Sequence, residues 1–282
     1  MKMTKRFSPR SVLLAGAVGV FLLSGCASRG TATPGDPLEG YNRAMFDFNE
    51  SVDKAVIKPL AEGYDYITPA PVKTGVGNFF GNLGDVWISV NNLLQGKVKD
   101  ALSDAGRFLV NTTLGIAGLF DVATEMGMEK HDEDFGQTLG WWGVPEGPYF
   151  IVPILGPKTV RDALALPVDF KGNPVTYLKD DESRYLLLGL ELIHQRYTLL
   201  GSEKTLEEGT LDKYAYVRDY YLQQRRYKVF DGKPPKRPDD EAGLMDTDAP
   251  LNATASAAVE RLDLANLADA PEGAQAQGER PE

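Results

Sequence analysis

Two histidines and one cysteine are the residues of this chain with the most versatile side-chain chemistry. The first histidine stands in the run His131-Asp132-Glu133-Asp134, where carboxylates beside an imidazole suggest a metal site or an acid–base pair. Metal ligands usually converge from separate elements, however, and consecutive acids in a loop are usually solvated. His194 falls beside the apolar stripe of a helix, where a packing or surface role is the ordinary interpretation. We therefore predict no catalytic residue and no metal site.

Other motifs of catalysis and cofactor binding are missing from the sequence. No G-x-S-x-G run indicates a serine-hydrolase elbow. The glycines Gly75, Gly77 and Gly81 miss the dinucleotide-binding spacing by one residue, and no clear strand precedes them. No basic patch is present that would displace phosphate counterions, so nucleic acid is not an expected partner. We predict a protein that is not an enzyme and needs no cofactor.

Cys26 is the residue for which the sequence predicts covalent chemistry. It follows a leader with four basic residues and an apolar run from Val12 to Leu23. That run is well short of the roughly 20 residues that span a bilayer, which is typical of a signal peptide. The run ends in Leu23-Ser24-Gly25-Cys26, which resembles the lipobox of bacterial lipoproteins. This resemblance implies a diacylglycerol on the Cys26 thiol, cleavage after residue 25, and an acyl chain such as palmitate on the new amino group.

The membrane address follows from the same segment. Several acyl chains together give an anchor that is effectively permanent, whereas a single chain holds only marginally. An aspartate after the lipidated cysteine would imply retention at the inner membrane, by resemblance to enteric sorting, but Ala27 stands there. We therefore expect an outer-membrane lipoprotein whose folded part faces the periplasm.

Composition divides the chain into four segments. Residues 1–25 are the signal peptide, and 26–35, rich in small residues, form a flexible tether. Residues 36–232 carry nearly all the aromatic side chains and form the folded domain. Residues 233–282 are acidic, rich in Pro and Ala and without Trp, Tyr or Phe, so we predict a disordered tail. Loss of the four basic residues of the leader changes the net charge from −10 to −14, and from Asp239 onward 11 acidic and 2 basic residues supply −9 of it, so the charge says little about the partners of the folded domain.

The folded segment is predicted to be mainly helical. Asp36-Pro37-Leu38-Glu39 favours a helix start with Asp36 as the cap, and we expect this helix to end at Pro59. Further helices are predicted from near Pro71, over Val86–Leu94, and from Val98 to Thr112, with apolar residues at spacings of three and four. The later helices carry the apolar stripes Leu186–Leu200 and Leu211–Tyr221, and another begins after Pro157, with Thr159 and Asp162 spaced as a cap pair.

One segment, near 137–154, departs from helical periodicity. It is rich in glycine, proline and aromatic residues, so we expect an irregular or hairpin segment. Trp141-Trp142 and Tyr149-Phe150 flank the turn signal Val144-Pro145-Glu146-Gly147, which suggests a hairpin around that turn.

The amphipathic stripes leave two interpretations open. They suit an ordinary helical domain whose stripes face a core, and they suit helices that lie at a lipid interface, where Trp and Tyr are favoured. No run of 18 apolar residues follows the signal peptide, so no transmembrane helix is expected.

At this point the residues resemble a known family, the MlaA family, also called VacJ. The resemblance covers roughly 36–230. It rests on five ordered blocks behind the lipobox, which begin at Asp36-Pro37-Leu38-Glu39-Gly40-Tyr41-Asn42-Arg43, Asn78-Phe79-Phe80-Gly81-Asn82-Leu83, Arg107-Phe108-Leu109-Val110-Asn111, Gly118-Leu119-Phe120-Asp121 and Phe135-Gly136-Gln137-Thr138.

The resemblance implies a ring-like body of amphipathic helices that lies in the outer membrane around an amphipathic channel. Phospholipids that have strayed into the outer leaflet would pass through it to a soluble periplasmic carrier, which keeps the outer membrane asymmetric. Trimeric porins are the implied membrane partners. The alternative is a porin-associated scaffold lipoprotein without transport.

A channel for phospholipid needs polar lining for headgroups and apolar lining for tails. As polar lining we predict Asn42, Arg43, Asn111 and Thr112, with Phe46 and Phe48 nearby, although capping or helix packing would explain each equally well. We also hypothesise that the Gly143–Gly147 region gates lipid entry, together with Pro148 and Tyr149.

Overall fold

A computed structural model describes residues 36–203 and 211–235 of the protein. The predicted signal peptide, the tether with Cys26, and the tail beyond residue 235 lie outside the described residues. All elements below belong to the structural unit that ends at Pro234.

The described chain is mainly helical, as the sequence predicted. Its first helices are α1 (Glu39–Val52), α2 (Lys58–Ile67), α3 (Ala70–Leu94) and α4 (Val98–Thr113). Two short helices follow, α5 (Val122–Glu125) and α6 (Phe135–Trp141). A two-stranded sheet, β1 (Tyr149–Val152) and β2 (Gly156–Thr159), precedes α7 (Val160–Gly172), α8 (Asp181–Thr198) and α9 (Lys213–Val229). No described helix is both long and apolar enough to cross a bilayer.

The predicted helix end at Pro59 is wrong. A π-helical turn, Asp53–Ile57, joins α1 to α2, and Pro59 lies in the first turn of α2. Proline breaks a helix interior because it lacks an N–H and its ring meets the carbonyl one turn earlier. The wider π turn changes the bonding ahead of Pro59, and the first turn of a helix tolerates a residue without an N–H.

The two helices predicted near Pro71 and over Val86–Leu94 are one helix, α3, of 25 residues. The glycines between them, among them Gly81 and Gly84, are tolerated inside the helix, where each costs roughly 1 kcal/mol relative to alanine. α3 packs along α4, and α2 packs against α8. The predicted cap pair at α7 is confirmed, since the Thr159 hydroxyl accepts a hydrogen bond from the Asp162 N–H.

The hairpin lies later in the chain than the turn signal at Val144–Gly147 suggested. Its strands pair antiparallel from Tyr149 opposite Thr159 to Val152 opposite Gly156, so the turn falls between Val152 and Gly156. Trp141 instead ends α6, and Gly143 follows with a φ of 87° while the Val144 N–H reaches back to the Leu139 carbonyl. This is the glycine-terminated end of a helix. The Gly/Pro run therefore stops a helix before the hairpin begins.

Burial along the described chain is the inverse of an ordinary soluble domain. Nine apolar side chains are buried, against seventeen polar or charged ones. On α4 the buried residues are polar at three of four positions, whereas the predicted apolar face is open, with Leu102 69% and Leu109 61% exposed. α4 therefore has the predicted apolar stripe, but that stripe is exposed and does not face a core. The interpretation of an ordinary helical domain fails for α4.

Close packing at Gly172 gives a test of the fold. A Cβ on Gly172 would overlap the indole ring of Trp87, whereas a Cβ on Gly189 of α8 meets nothing within 4 Å. Gly172→Ala should lower the free energy of unfolding by about 1–3 kcal/mol through overpacking. Gly189→Ala, the matched control, should be neutral or slightly stabilising because alanine favours the helix. Thermal denaturation of the purified variants measures both, and equal melting temperatures would contradict this packing.

Candidate functional site

Asn42 is one of three α1 residues, with Tyr41 and Asn49, that hydrogen-bond the hairpin. Its amide donates to the Asp36 Oδ1 atom at 2.9 Å and to the Tyr149 carbonyl at 3.2 Å, and its oxygen accepts from the Ile151 N–H at 2.9 Å. The side chain is fully buried, so its polar atoms are satisfied by protein. Its observed role is to bridge a helix and a strand. Its predicted role as channel lining stays a prediction.

Asp36 does not cap α1, contrary to the sequence prediction. The N-cap residue is Leu38, and no side chain caps that helix. Asp36 is instead completely buried and accepts a hydrogen bond from the Tyr214 hydroxyl of α9, with the Arg218 guanidinium 3.5 Å away. Burial and the Asp36 carboxylate both raise the pKa of Tyr214, which keeps its hydroxyl protonated as the donor.

Arg43 and Phe46 lie beside this cluster, and Phe48 lies apart from it. Arg43 pairs with Glu39 of its own helix and with Asp212, and its guanidinium lies 4.5 Å from the ring centre of Tyr214. Phe46 meets the same tyrosine edge to face. Phe48 is exposed. The structure therefore brings three of the predicted α1 residues together around one end of α9.

Asn111 and Thr112 belong to a second cluster, on α4. The Asn111 amide donates to Asp121 at 2.9 Å and accepts from the Ala123 N–H, which ties the start of α5 to α4. The Arg107 guanidinium donates hydrogen bonds to both carboxylate oxygens of Asp121, each at 3.0 Å. Burial acts to raise the pKa of Asp121, but the hydrogen bonds it accepts prevail and lower it to about 2. Thr112 is exposed and accepts from the Asn82 amide at 2.9 Å.

A third cluster surrounds Arg225 of α9. Its guanidinium bonds both Asp134 and Asp162, and the Tyr221 hydroxyl donates to Asp162 at 2.7 Å. Burial would raise the pKa of both carboxyls, but the neighbouring guanidinium lowers them, so both stay charged. This cluster fixes α9 to α6 and α7 through buried charge.

The run from His131 to Asp134 does not converge on one point. His131 contacts Asp104, and Asp132 pairs with Lys228. Glu133 accepts hydrogen bonds from Gln95 and Lys97. Asp134 pairs with Arg225. Across 36–203 and 211–235, no three His, Cys, Asp or Glu side chains are grouped as metal ligands would be. The run serves as four separate ties between elements.

The predicted gating residues lie between α6 and β1. The Arg161 N–H donates to the Glu146 carbonyl and the Val160 N–H to that of Pro148, so this segment is bonded to the start of α7. Gly147 has a φ of 69°. Tyr149 is buried in the sheet, and its hydroxyl lacks a hydrogen-bond partner. Gating by this segment stays a hypothesis.

A cavity of about 240 Å³ lies between α3 and α8. It is open to the surface, and the lining residues are Gly77, Phe80, Gly81, Glu191, His194 and Gln195. Sequence analysis did not assign a site here. The signal available was the pair of glycines four residues apart on α3, which removes two side chains from one face of the helix and leaves room beside α8.

Comparison with known proteins identifies the family to which this chain belongs. The family model described as MlaA lipoprotein matches residues 34–228. The chain belongs to the MlaA lipoprotein family. It is 36% identical to the Escherichia coli K12 protein named intermembrane phospholipid transport system lipoprotein MlaA, over 82% of this chain and 94% of that protein. An uncharacterized protein of Rickettsia bellii is 36% identical over 69% of this chain and 76% of its own.

A solved structure has a similar fold. The description of that structure is "Structural basis for maintenance of bacterial outer membrane lipid asymmetry". Its TM-score is 0.61 at 34% identity, and the match covers 69% of this chain and 98% of that one. The predicted family and the mainly helical fold are therefore confirmed.

The bridge made by Asn42 predicts a contrast between neighbouring residues. Asn42→Ala removes one hydrogen bond from the buried Asp36 carboxylate and leaves the buried Ile151 N–H without its partner, which should lower the free energy of unfolding by about 2–4 kcal/mol. Arg43→Ala removes two partly exposed ion pairs, with Glu39 and Asp212, and should cost about 1 kcal/mol or less. Thermal or urea unfolding of both variants measures this difference, and equal losses would show that Asn42 is not the bridge.

Proposed function

We propose that this protein is an outer-membrane lipoprotein that removes mislocalised phospholipids from the outer leaflet and passes them through an amphipathic channel to a periplasmic carrier. The named relatives in Escherichia coli, Shigella flexneri and Haemophilus influenzae are intermembrane phospholipid transport lipoproteins. The matched solved structure concerns outer-membrane lipid asymmetry. Both support transfer of this function to the chain.

The inverted burial is the observation that carries the proposal. Large apolar side chains on α4 and in the loop after it are exposed, among them Leu102, Leu109, Leu114 and Ile116. In water such an apolar surface would favour aggregation or the binding of a partner, whereas in hydrocarbon its exposure carries no hydrophobic free-energy cost. Helices also satisfy their own backbone hydrogen bonds, which a lipid environment requires. A ring of such helices would lie in the leaflet without a membrane-spanning segment.

The buried polar side chains would provide the polar route that a phospholipid headgroup needs. A phospholipid needs a wet or polar route for its headgroup and an apolar one for its tails. Buried polar side chains on the inner sides of α3 and α4, such as Asn82, Asp85 and Arg107, provide polar groups in a body with an apolar exterior. Asn42, Arg43, Asn111 and Thr112, with Phe46 and Phe48 near them, remain our proposed lining.

Anchoring, partners and domain limits complete the proposal. Lipids on Cys26 would hold the protein at the outer membrane facing the periplasm, with 26–35 as tether and 233–282 as a separate tail. Residues 36–232 would form the lipid-channel domain. A trimeric porin and a soluble phospholipid carrier are the proposed partners, and no catalysis is proposed. Movement of the segment from Gly143 to Tyr149 would gate lipid entry.

Outer-leaflet phospholipid in cells that lack this protein tests the function. We expect exposed phospholipid to rise on deletion, because strayed lipid is no longer withdrawn. Wild-type protein should restore asymmetry, whereas Cys26→Ala, which cannot be anchored, should not. Labelling of surface phospholipid in intact cells measures this.

The control is Gly189→Ala, which meets no neighbouring atom and should complement like wild type. Unchanged exposure after deletion would contradict the transport proposal. A protein that binds porin but leaves lipid exposure unaffected would act as a scaffold instead.

A further inference from the structure

The cavity between α3 and α8 contains a carboxylate without a cationic partner. Among the described residues, Glu191 forms no ion pair, and its one side-chain hydrogen bond is accepted from the Asn173 amide at 3.2 Å. Burial raises the pKa of Glu191, and that hydrogen bond only partly opposes the effect. A half-buried carboxylate in this position is stabilised by whatever cation reaches it.

The neighbouring cations are already neutralised. Lys73, one turn before the cavity on α3, pairs with Asp65. Lys130, which donates to the Gly81 carbonyl at 3.1 Å, pairs with the buried Asp85. Neither lysine is paired with Glu191, so neither competes with a ligand cation for this carboxylate.

The remaining cavity wall suits a small organic cation. Burial lowers the pKa of His194, which makes its imidazole neutral at pH 7, and its Nδ1 atom lies 3.1 Å from the Tyr64 hydroxyl. Phe80 adds an aromatic side chain to the same wall, and aromatic faces attract ammonium groups. The volume of about 240 Å³ is below the roughly 300–1,000 Å³ typical of sites for drug-sized ligands. A headgroup fits such a space, and a whole lipid does not.

We propose that this cavity binds the ammonium of an aminophospholipid headgroup, with Glu191 as the counter-ion and Phe80 beside it. The inference rests on the proposed phospholipid transport and adds a headgroup preference to it. The glycerol and acyl chains would stay outside the cavity, toward the apolar surface. Phosphatidylethanolamine would then be held more tightly than phosphatidylglycerol, whose headgroup carries no cation.

Glu191→Gln separates charge from shape. Glutamine has nearly the same size as glutamate and can still accept the Asn173 hydrogen bond, so the variant should fold. Glu182→Gln is the matched control, since it removes the same charge from an exposed position on the same helix. The full lipoprotein in detergent is titrated with phosphatidylethanolamine or phosphatidylglycerol of identical acyl chains, and native mass spectrometry measures the bound fractions.

The expected result is a preference for phosphatidylethanolamine in wild type and in Glu182→Gln. In Glu191→Gln that preference should fall by about three- to tenfold, as expected for loss of one partly buried ionic contact. Phospholipid binding with no headgroup preference, or a preference unchanged in Glu191→Gln, would overturn the headgroup site and leave the transport proposal intact. Binding of soluble phosphoethanolamine but not of the lipid would assign the cavity to a free amine and overturn it too. Absence of any phospholipid binding by wild type would count against transport itself.

Discussion

A polar side chain that leaves water must find a partner, and this constraint shapes the whole described fold. Leaving a buried hydrogen-bonding group unpaired costs about 1–3 kcal/mol, and an unpaired charge costs more. Most buried polar groups meet the constraint through hydrogen bonds and ion pairs between elements, and among the described residues five buried side-chain atoms, the Tyr149 hydroxyl among them, have no hydrogen-bond partner. Asn42 joins α1 to the hairpin, Asn111 joins α4 to α5, and Arg225 joins α9 to α6 and α7. These polar ties hold the helices together where an ordinary domain would use apolar packing.

The sequence predicted the helices well and their environment poorly. Periodicity reports that one face of a helix is apolar, but it does not report whether that face meets a core or a lipid. For α4, the face with Leu102 and Leu109 was found correctly, and it is the face with Asp104 and Arg107 that is buried. The family resemblance favoured the lipid interpretation, and the inverted burial now gives it independent physical support.

Other differences arise from contacts distant in sequence. Asp36 has the local pattern of a helix cap, yet its partner Tyr214 lies 178 residues away, and no local rule predicts that bond. The helix continues past Pro59 because a π turn precedes it, a feature without a reliable sequence signature. The hairpin was predicted too early in the chain because glycine and proline are typical both of helix ends and of turns. Gly143 has the positive φ of a residue that ends a helix, here α6. The cavity depends on two helices far apart in the chain, so only its glycines were visible.

Solvent accessibility of the outward face of α4 in a bilayer tests the central claim most directly. A spin label at Leu102 or Leu109 of the reconstituted lipoprotein reports collisions with oxygen, which concentrates in hydrocarbon, and with a water-soluble nickel chelate. An inverted fold embedded in lipid predicts strong oxygen and weak nickel relaxation at both positions. Strong nickel relaxation at both would place this face in water and contradict the account.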